Sequence, residues 1–260
     1  MSKKSRLIFL FVFIAVTIVA GTSLYGETFS SILPVSVTSM SADGLITSPE
    51  PGWPQWRGPR RDGISDEKDL LQSWPEGGPK LLWKIDGIGA GWSCPIIVGQ
   101  RIYITGDVGE DLVIFALNLN GEVQWKIKNG RNWKNPYPGA RACCVFSEGR
   151  LYHMNAHGRV VCLDAASGKE LWAVNILERF DAKNITWALS ECLLVDGPRL
   201  IVTPGGRKAL MAALDKRTGK TIWITEPFGN DKKIAQLTDY ISVQRTKVDY
   251  ELLISARFWC

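Results

Sequence analysis

The chain has 260 residues, with 31 lysines and arginines, 26 aspartates and glutamates, and a net charge of +5. Three of the basic residues lie in residues 1–26, which hold no acidic residue, so the remainder carries 28 basic and 26 acidic groups, or +2. A near-neutral body without a basic cluster excludes the electrostatic footprint of nucleic-acid binding. The 25 glycines, 13 prolines and 11 tryptophans favour β-structure with many turns and large rings that need burial.

The first 26 residues have the pattern of an export segment. Basic residues near the start precede a largely apolar stretch over 7–20, and small residues follow it. This stretch is shorter than the roughly 20 residues of a membrane span and typical of a signal peptide. We expect 1–26 to be a signal peptide or, where it is retained, an N-terminal anchor that makes the chain's only membrane contact. Residues 27–52, rich in Ser, Thr, Pro and Gly, are typical of a flexible linker.

A hairpin motif recurs at 116–125, 162–172 and 213–223. Each copy has a small residue, Leu, Asp or Asn, a short turn, Gly, three further residues and Trp. The Asp or Asn side chain caps the turn, and Gly supplies the positive φ that a tight hairpin needs. We expect Trp172 and Trp223 to be mostly buried between successive sheets. The motif predicts these structural docking residues: Asn118, Gly121, Trp125, Asp164, Gly168, Trp172, Asp215, Gly219 and Trp223.

Each hairpin has an upstream partner that repeats in the same register. Cys94, Cys143 and Cys192 are spaced by 49 residues, and an Arg follows each of them seven residues later. The surrounding sequence is typical of two further short strands in each repeat. Four strands in about 45–50 residues predict an all-β fold, a β-propeller of four-stranded antiparallel blades. No amphipathic helix of about 10–15 residues separates the strands, which disfavours a parallel α/β fold.

The repeats divide residues 53–260 into blades. The expected blades lie at about 92–126, 139–174 and 187–224, with part of a fourth at 239–256. Residues 79–85, including Trp83, are typical of an isolated outer strand of the kind that completes the last blade of a ring. About three and a half blades do not close a ring, so the pattern predicts an incomplete propeller and a truncated chain. Its exposed sheet edges predict poor solubility.

The three hairpins carry a family resemblance. Residues 213–223 resemble, at every position, the docking motif Ala-x-Asp-x-x-Thr-Gly-x-x-x-Trp of the pyrroloquinoline-quinone-like (PQQ-like) propeller family. Residues 162–172 differ by Cys for Ala and Ser for Thr, and 116–125 has a turn one residue shorter. The segment 53–59 is similar to the opening segment of exported bacterial members. The resemblance covers about 53–256 and implies the fold. Because the family includes quinoprotein alcohol dehydrogenases and the scaffold lipoprotein of outer-membrane barrel assembly, it leaves the chemistry open.

The adjacent residues Cys143 and Cys144 are the most specific candidates for a functional site. The resemblance implies a vicinal disulfide beside the cofactor in the quinoprotein dehydrogenases, and an exported protein could oxidise such a pair. The alternative is that both are small buried strand residues, because Cys94 and Cys192 stand in the same part of the repeat. Other disulfides also stay open.

Another repeat position lies near the start of the innermost strands, where propellers commonly bind ligands. Trp92, Arg141 and Ser190 share it, again 49 residues apart. The candidate residues of a channel mouth are Trp92, Arg141, Trp187, Cys143 and Cys144. Packing and loop anchoring are the alternative roles.

The remaining polar candidates are weaker. His153 is expected at the surface or a blade edge, and His157, before a glycine, in an exposed turn. A quinoprotein dehydrogenase would need a calcium-ligating Glu, Asn and Asp set and an Asp base. Glu191, Asn184 and Asp239 lie near inner-strand ends, but nothing marks them as such a set.

These observations predict an exported, non-catalytic interaction or scaffold module of the periplasm or cell envelope, with protein partners and no nucleic acid. No catalytic residue, metal ligand or cofactor is assigned. The alternative is a PQQ-dependent alcohol or sugar dehydrogenase, or a degenerate relative, which would need PQQ and calcium. Carbohydrate binding through exposed tryptophans is a third class without a specific motif.

Overall fold

Antiparallel strands dominate the computed structural model, which describes residues 52–226 with their side chains and the backbone of 241–245 and 252–256. The first sheet has five strands, in the order β1 Gly52–Trp53, β2 Ile96–Val98, β3 Arg101–Val108, β4 Asp111–Asn118 and β5 Val123–Arg131. The second has four, β6 Val145–Ser147, β7 Arg150–Met154, β8 Arg159–Asp164 and β9 Glu170–Asn175. A short helix, α1 Ile176–Arg179, follows. The third sheet has β10 Leu194–Asp196, β11 Arg199–Val202, β12 Ala212–Asp215 and β13 Thr221–Ile224.

The prediction of an all-β fold with four-stranded antiparallel blades is confirmed. Within each sheet the neighbouring strands follow chain order, so β2–β5, β6–β9 and β10–β13 are meanders of the propeller-blade type. A further antiparallel pair, β14 Ile241–Arg245 and β15 Leu252–Ala256, lies within 239–256. The predicted signal peptide, nearly all of the predicted linker, Asp239 and Cys260 lie outside the described residues.

The cores lie between the faces of successive sheets. In β4 six consecutive residues are buried, and alternate side chains point to opposite faces. Leu112 and Ile114 face the core shared with the second sheet, whereas Val113 and Phe115 face a cluster that includes Ile85. A second inter-sheet core lies between the second and third sheets. Each fully buried Leu or Ile contributes about 1.5–3 kcal/mol to the free energy of unfolding.

The docking motif joins each sheet to the next. Trp125 in β5 donates from Nε1 to the backbone oxygen of Ala165 at 3.1 Å, and Trp172 in β9 donates to that of Lys216 at 3.1 Å. Each ring lies over a glycine of positive φ, so a Cβ on Gly168 or Gly219 would fall 2.7 Å from a ring carbon. The turns therefore require glycine both for the backbone and for space.

Side-chain caps hold these turns. Asp164 Oδ1 accepts from the Ser167 backbone and hydroxyl, and Asp215 Oδ1 accepts from those of Thr218. These bonds, led by the hydroxyl donors, lower the pKa of both carboxyls. Asn118 caps its shorter turn by accepting from two backbone N–H groups.

Trp172 and Trp223 lie on the outer strands β9 and β13, and both are mostly buried, as expected. The expected outer strand at 79–85 needs correction. Residues 79–85 do not form a strand, since the described part of the chain offers them no neighbouring strand. Trp83 nevertheless occupies the docking position of the first sheet. Its Nε1 donates to the Leu119 oxygen at 2.8 Å, and its ring lies over Gly121.

The segment at 52–61 ties the inner edges of all three sheets together. Its first two residues, β1, pair with β2. The Pro54 oxygen accepts from Phe146 N at 2.9 Å at the second sheet. At the third, the Arg61 guanidinium donates to the backbone oxygens of Cys192 and Leu193, both at 3.0 Å. Among the described residues, no helix has the length and apolar character needed to cross a bilayer.

Candidate functional site

Three exposed aromatic residues lie in the connections that precede the innermost strands, and we call Trp92, Tyr137 and Trp187 the aromatic mouth. Their exposed fractions are 69%, 61% and 43%. The rings of Tyr137 and Trp187 stack with centroids 5.5 Å apart and planes 30° apart, which links the second and third repeats. Trp92 Nε1 donates to the Pro138 oxygen at 3.2 Å, so the first repeat borders the same loop.

Arg141 holds this loop in place. Its guanidinium donates to the backbone oxygen of Pro136 at 2.9 Å and to that of Tyr137. The loop also follows the backbone of the first repeat, where Trp92 N donates to the Ala140 oxygen at 2.6 Å. Arg141 is therefore a positioning residue for Tyr137 rather than a solvent-facing cation. Ser190, at the equivalent position of the third repeat, is exposed.

Asp107, which sequence reasoning missed, lies beneath this loop. Both of its carboxylate oxygens are buried. Burial raises the pKa of Asp107, and the backbone N–H groups of Trp133 and Gly139 together with the charge of Arg141 offset part of that rise. Burial in turn lowers the pKa of Arg141, and Asp107 opposes that shift. The only sequence signal was a charged residue at the end of a long strand, which is common in turns.

The two adjacent cysteines lie inside the molecule. Cys143 and Cys144 are 3% and 1% exposed, and both carry free thiols. Burial raises the pKa of Cys144. Cys143 Sγ instead lies at the inner edge, where it accepts from Cys94 N at 3.2 Å. Both residues pack in the core that the first and second sheets share.

The residues considered for calcium are engaged elsewhere. Both carboxylate oxygens of Glu191 accept from Thr203, from its backbone N–H at 3.0 Å and its hydroxyl at 3.1 Å. Burial raises the pKa of Glu191 to about 7. The Asn184 amide donates to the Ala156 oxygen at 2.9 Å. In the described ranges no three His, Cys, Asp or Glu residues are grouped to hold a metal ion.

His153 is the second correction. It was expected at the surface or a blade edge, yet it is 1% exposed on β7, which lies between β6 and β8 and is buried against the first sheet. Its Nδ1 lies 2.9 Å from Asn129 Nδ2 and accepts from that amide. Burial lowers the pKa of His153 to about 4, so the imidazole is neutral at physiological pH.

His157 is partly buried in a side cavity of 310 Å³. Its Nε2 donates to the Asn132 oxygen at 3.0 Å, and its ring centroid is 5.5 Å from that of Trp133. The cavity is also lined by Glu110 and Lys134, which form an ion pair. Sequence reasoning had placed His157 in an exposed turn and did not identify this cavity.

Comparison with known proteins supports the repeat assignment. Residues 110–236 match the family model described as outer membrane protein assembly factor BamB. The lanthanide-dependent methanol dehydrogenase of Methylacidiphilum fumariolicum (strain SolV) is 24% identical over 159 residues, which cover 56% of this chain and 25% of the relative. The 1-butanol dehydrogenase (quinone) of Thauera butanivorans is 30% identical over 94 residues, 36% of this chain and 15% of the relative. The chain thus matches a quarter or less of these relatives' length.

Among solved structures, BamB from Moraxella catarrhalis aligns with a TM-score of 0.42 and 15% identity. The alignment covers 57% of this chain and 44% of that one.

Proposed function

The chain carries the PQQ-like β-propeller repeat, and from that premise we propose that it is an exported interaction module of the periplasm or cell envelope. Its aromatic mouth binds protein partners, and it performs no catalysis. The observation that carries the proposal is the exposure of Trp92, Tyr137 and Trp187 in three successive connections, with Arg141 holding the Tyr137 loop in place.

Exposed aromatic rings favour binding for a physical reason. Tyr and Trp bring large apolar area at low conformational cost, and they are enriched among residues that dominate protein interfaces. Here Trp92 and Arg141 each bond to loop carbonyls, and Trp187 stacks on Tyr137. Such preorganisation reduces the entropy lost on binding. The match to the BamB family model supports a role at the cell envelope.

Site-specific photocrosslinking tests this proposal. The photoreactive residue replaces Tyr137 in the full chain, in cells that export it. Discrete crosslinks to protein partners are expected from position 137. The matched control is position 171, where Leu171 is 44% exposed on the outer strand β9, away from the mouth. Crosslinks of equal yield from both positions, or none from 137, would contradict the proposal.

A quinone-dependent alcohol dehydrogenase is the second candidate, because the curated relatives carry that activity in their names. Its test is incubation of the full chain with PQQ and calcium or a lanthanide, followed by dye reduction with several alcohols. Turnover would overturn the interaction proposal. If tryptophan fluorescence shows no quinone binding at micromolar PQQ, the dehydrogenase candidate is rejected.

A further inference from the structure

Three cysteines at equivalent positions of the repeat lie next to one another in the fold. Cys94, Cys143 and Cys192 each precede the innermost strand of a sheet. Cys94 N donates to Cys143 Sγ at 3.2 Å, and Cys143 N donates to Cys192 Sγ at 3.3 Å. Each of these sulfurs therefore lies against the backbone of the cysteine in the preceding repeat.

The thiols of Cys143 and Cys192 also contact each other. The Cys143 thiol donates a hydrogen bond to the Cys192 sulfur, which raises the pKa of Cys143 and lowers that of Cys192. Cys192 is partly exposed, whereas Cys143 is buried. This contact joins the inner edges of the second and third sheets.

The surroundings lower the pKa of Cys192, chiefly through the hydrogen bond from the Cys143 thiol, whereas burial and the charge of Glu191 oppose the shift. The Arg61 guanidinium donates to the Cys192 and Leu193 oxygens, and its charge acts on the Cys192 sulfur. A cation beside a partly exposed thiol is the environment of a reactive cysteine. Cys162 differs, because it lies in the core between the second and third sheets with its thiol beside Tyr152.

We propose that Cys143 and Cys192 are a redox-active pair that forms a disulfide between the second and third sheets. The oxidant is an external disulfide, either a small-molecule or a protein disulfide. The Cys192 thiolate attacks one of its sulfurs, and the first thiolate leaves. Cys143, once deprotonated, attacks the mixed disulfide at Cys192 and releases the second. The two protein thiols lose two electrons and two protons, and the oxidant becomes two thiols.

This assignment is independent of the proposed interaction function. It also bears on the adjacent pair, because Cys143 bonded to Cys192 cannot form a vicinal disulfide with Cys144. The disulfide would link segments 49 residues apart in sequence and so reduce the entropy of the unfolded chain.

Peptide mapping tests the proposal. The full chain is incubated with oxidised glutathione, alkylated, and digested with trypsin without reduction. The expected product joins peptide 142–150 to peptide 184–199. Cys144→Ser should retain this product, and Cys192→Ser should abolish it. An internal 143–144 disulfide, a link from Cys94, or full alkylation of Cys143 and Cys192 in the wild type would overturn the proposal.

Two further measurements do not depend on removing a cysteine of the pair. Oxidation should raise the Tm of the wild-type chain by roughly 5–10 °C, and reduction should reverse it. Arg61→Gln should slow disulfide formation about fivefold at neutral pH, because the thiolate loses its cation. Arg60→Gln is the control, since Arg60 is itself exposed and pairs with Asp62 and Asp66. No Tm change on oxidation, or equal rates in both arginine variants, would contradict the proposal.

Discussion

The outer turns keep the same residues in each repeat, whereas the aromatic mouth has different residues at equivalent positions. At the outer turns, Trp83, Trp125 and Trp172 each donate to a backbone oxygen of the next turn, at 2.8, 3.1 and 3.1 Å. At the mouth, equivalent positions hold Trp92, Arg141 and Ser190, and each residue does something different. The comparison teaches that the residues that join the sheets repeat from one copy to the next, whereas the residues at the mouth differ from copy to copy.

The largest expected effect concerns the outer turns. Trp172→Ala should lower the free energy of unfolding by about 3 kcal/mol, because it removes a partly buried ring and the hydrogen bond to Lys216. Urea denaturation measures the loss. Trp74→Ala is the matched control, since Trp74 is 68% exposed, and it should change stability by less than about 0.5 kcal/mol. Equal effects would break the distinction between docking and surface tryptophans.

The glycine beneath the ring is the next test. Gly168→Ala should cost about 2–3 kcal/mol, because its Cβ would fall 2.7 Å from the Trp125 ring and φ is +73°. Gly149→Ala has the same strain, at φ +74°, with no atom within 4 Å of its Cβ. The difference between the two unfolding free energies isolates the ring contact. A difference near zero would show that only backbone strain matters.

Glu191 should make stability depend on pH. Its folded pKa is raised to about 7 from 4.5, so the folded state binds the proton more tightly than the unfolded chain does. Stability from this group is therefore fully present below about pH 4.5 and is lost as the pH rises through 7, by about 3 kcal/mol in all. Glu191→Gln should remove this component, as followed by urea denaturation at several pH values. An unchanged pH profile in the variant would assign the dependence to other groups.

The smallest effect is expected at the mouth. Trp187→Ala should lower the free energy of unfolding by less than about 1 kcal/mol, because the ring is 43% exposed and its main partner is the exposed Tyr137 ring. It should nevertheless reduce the crosslinking from position 137 at least several-fold. A large loss of unfolding free energy would instead show that Trp187 is a packing residue. It would then argue against a binding role for this ring.

The sequence by itself determined the blades, because their signals are local. The Asp-to-Gly-to-Trp spacing depends only on turn chemistry within a single hairpin, so residues such as Asp215 and Gly219 were identified with their roles. The 49-residue register of the cysteines was also visible. Similarly, alternating apolar residues specify a two-faced strand without reference to the rest of the chain.

Only the tertiary structure decided which residues meet across repeats. It buried His153 against Asn129, placed Arg61 on the third sheet and set Tyr137 on Trp187. These contacts join residues that are distant in sequence, and the same residue types are equally compatible with solvent. Which side chains are buried, and which residues they contact, depends on how one sheet packs against the next. The apolar periodicity within a single strand carries no information about that packing.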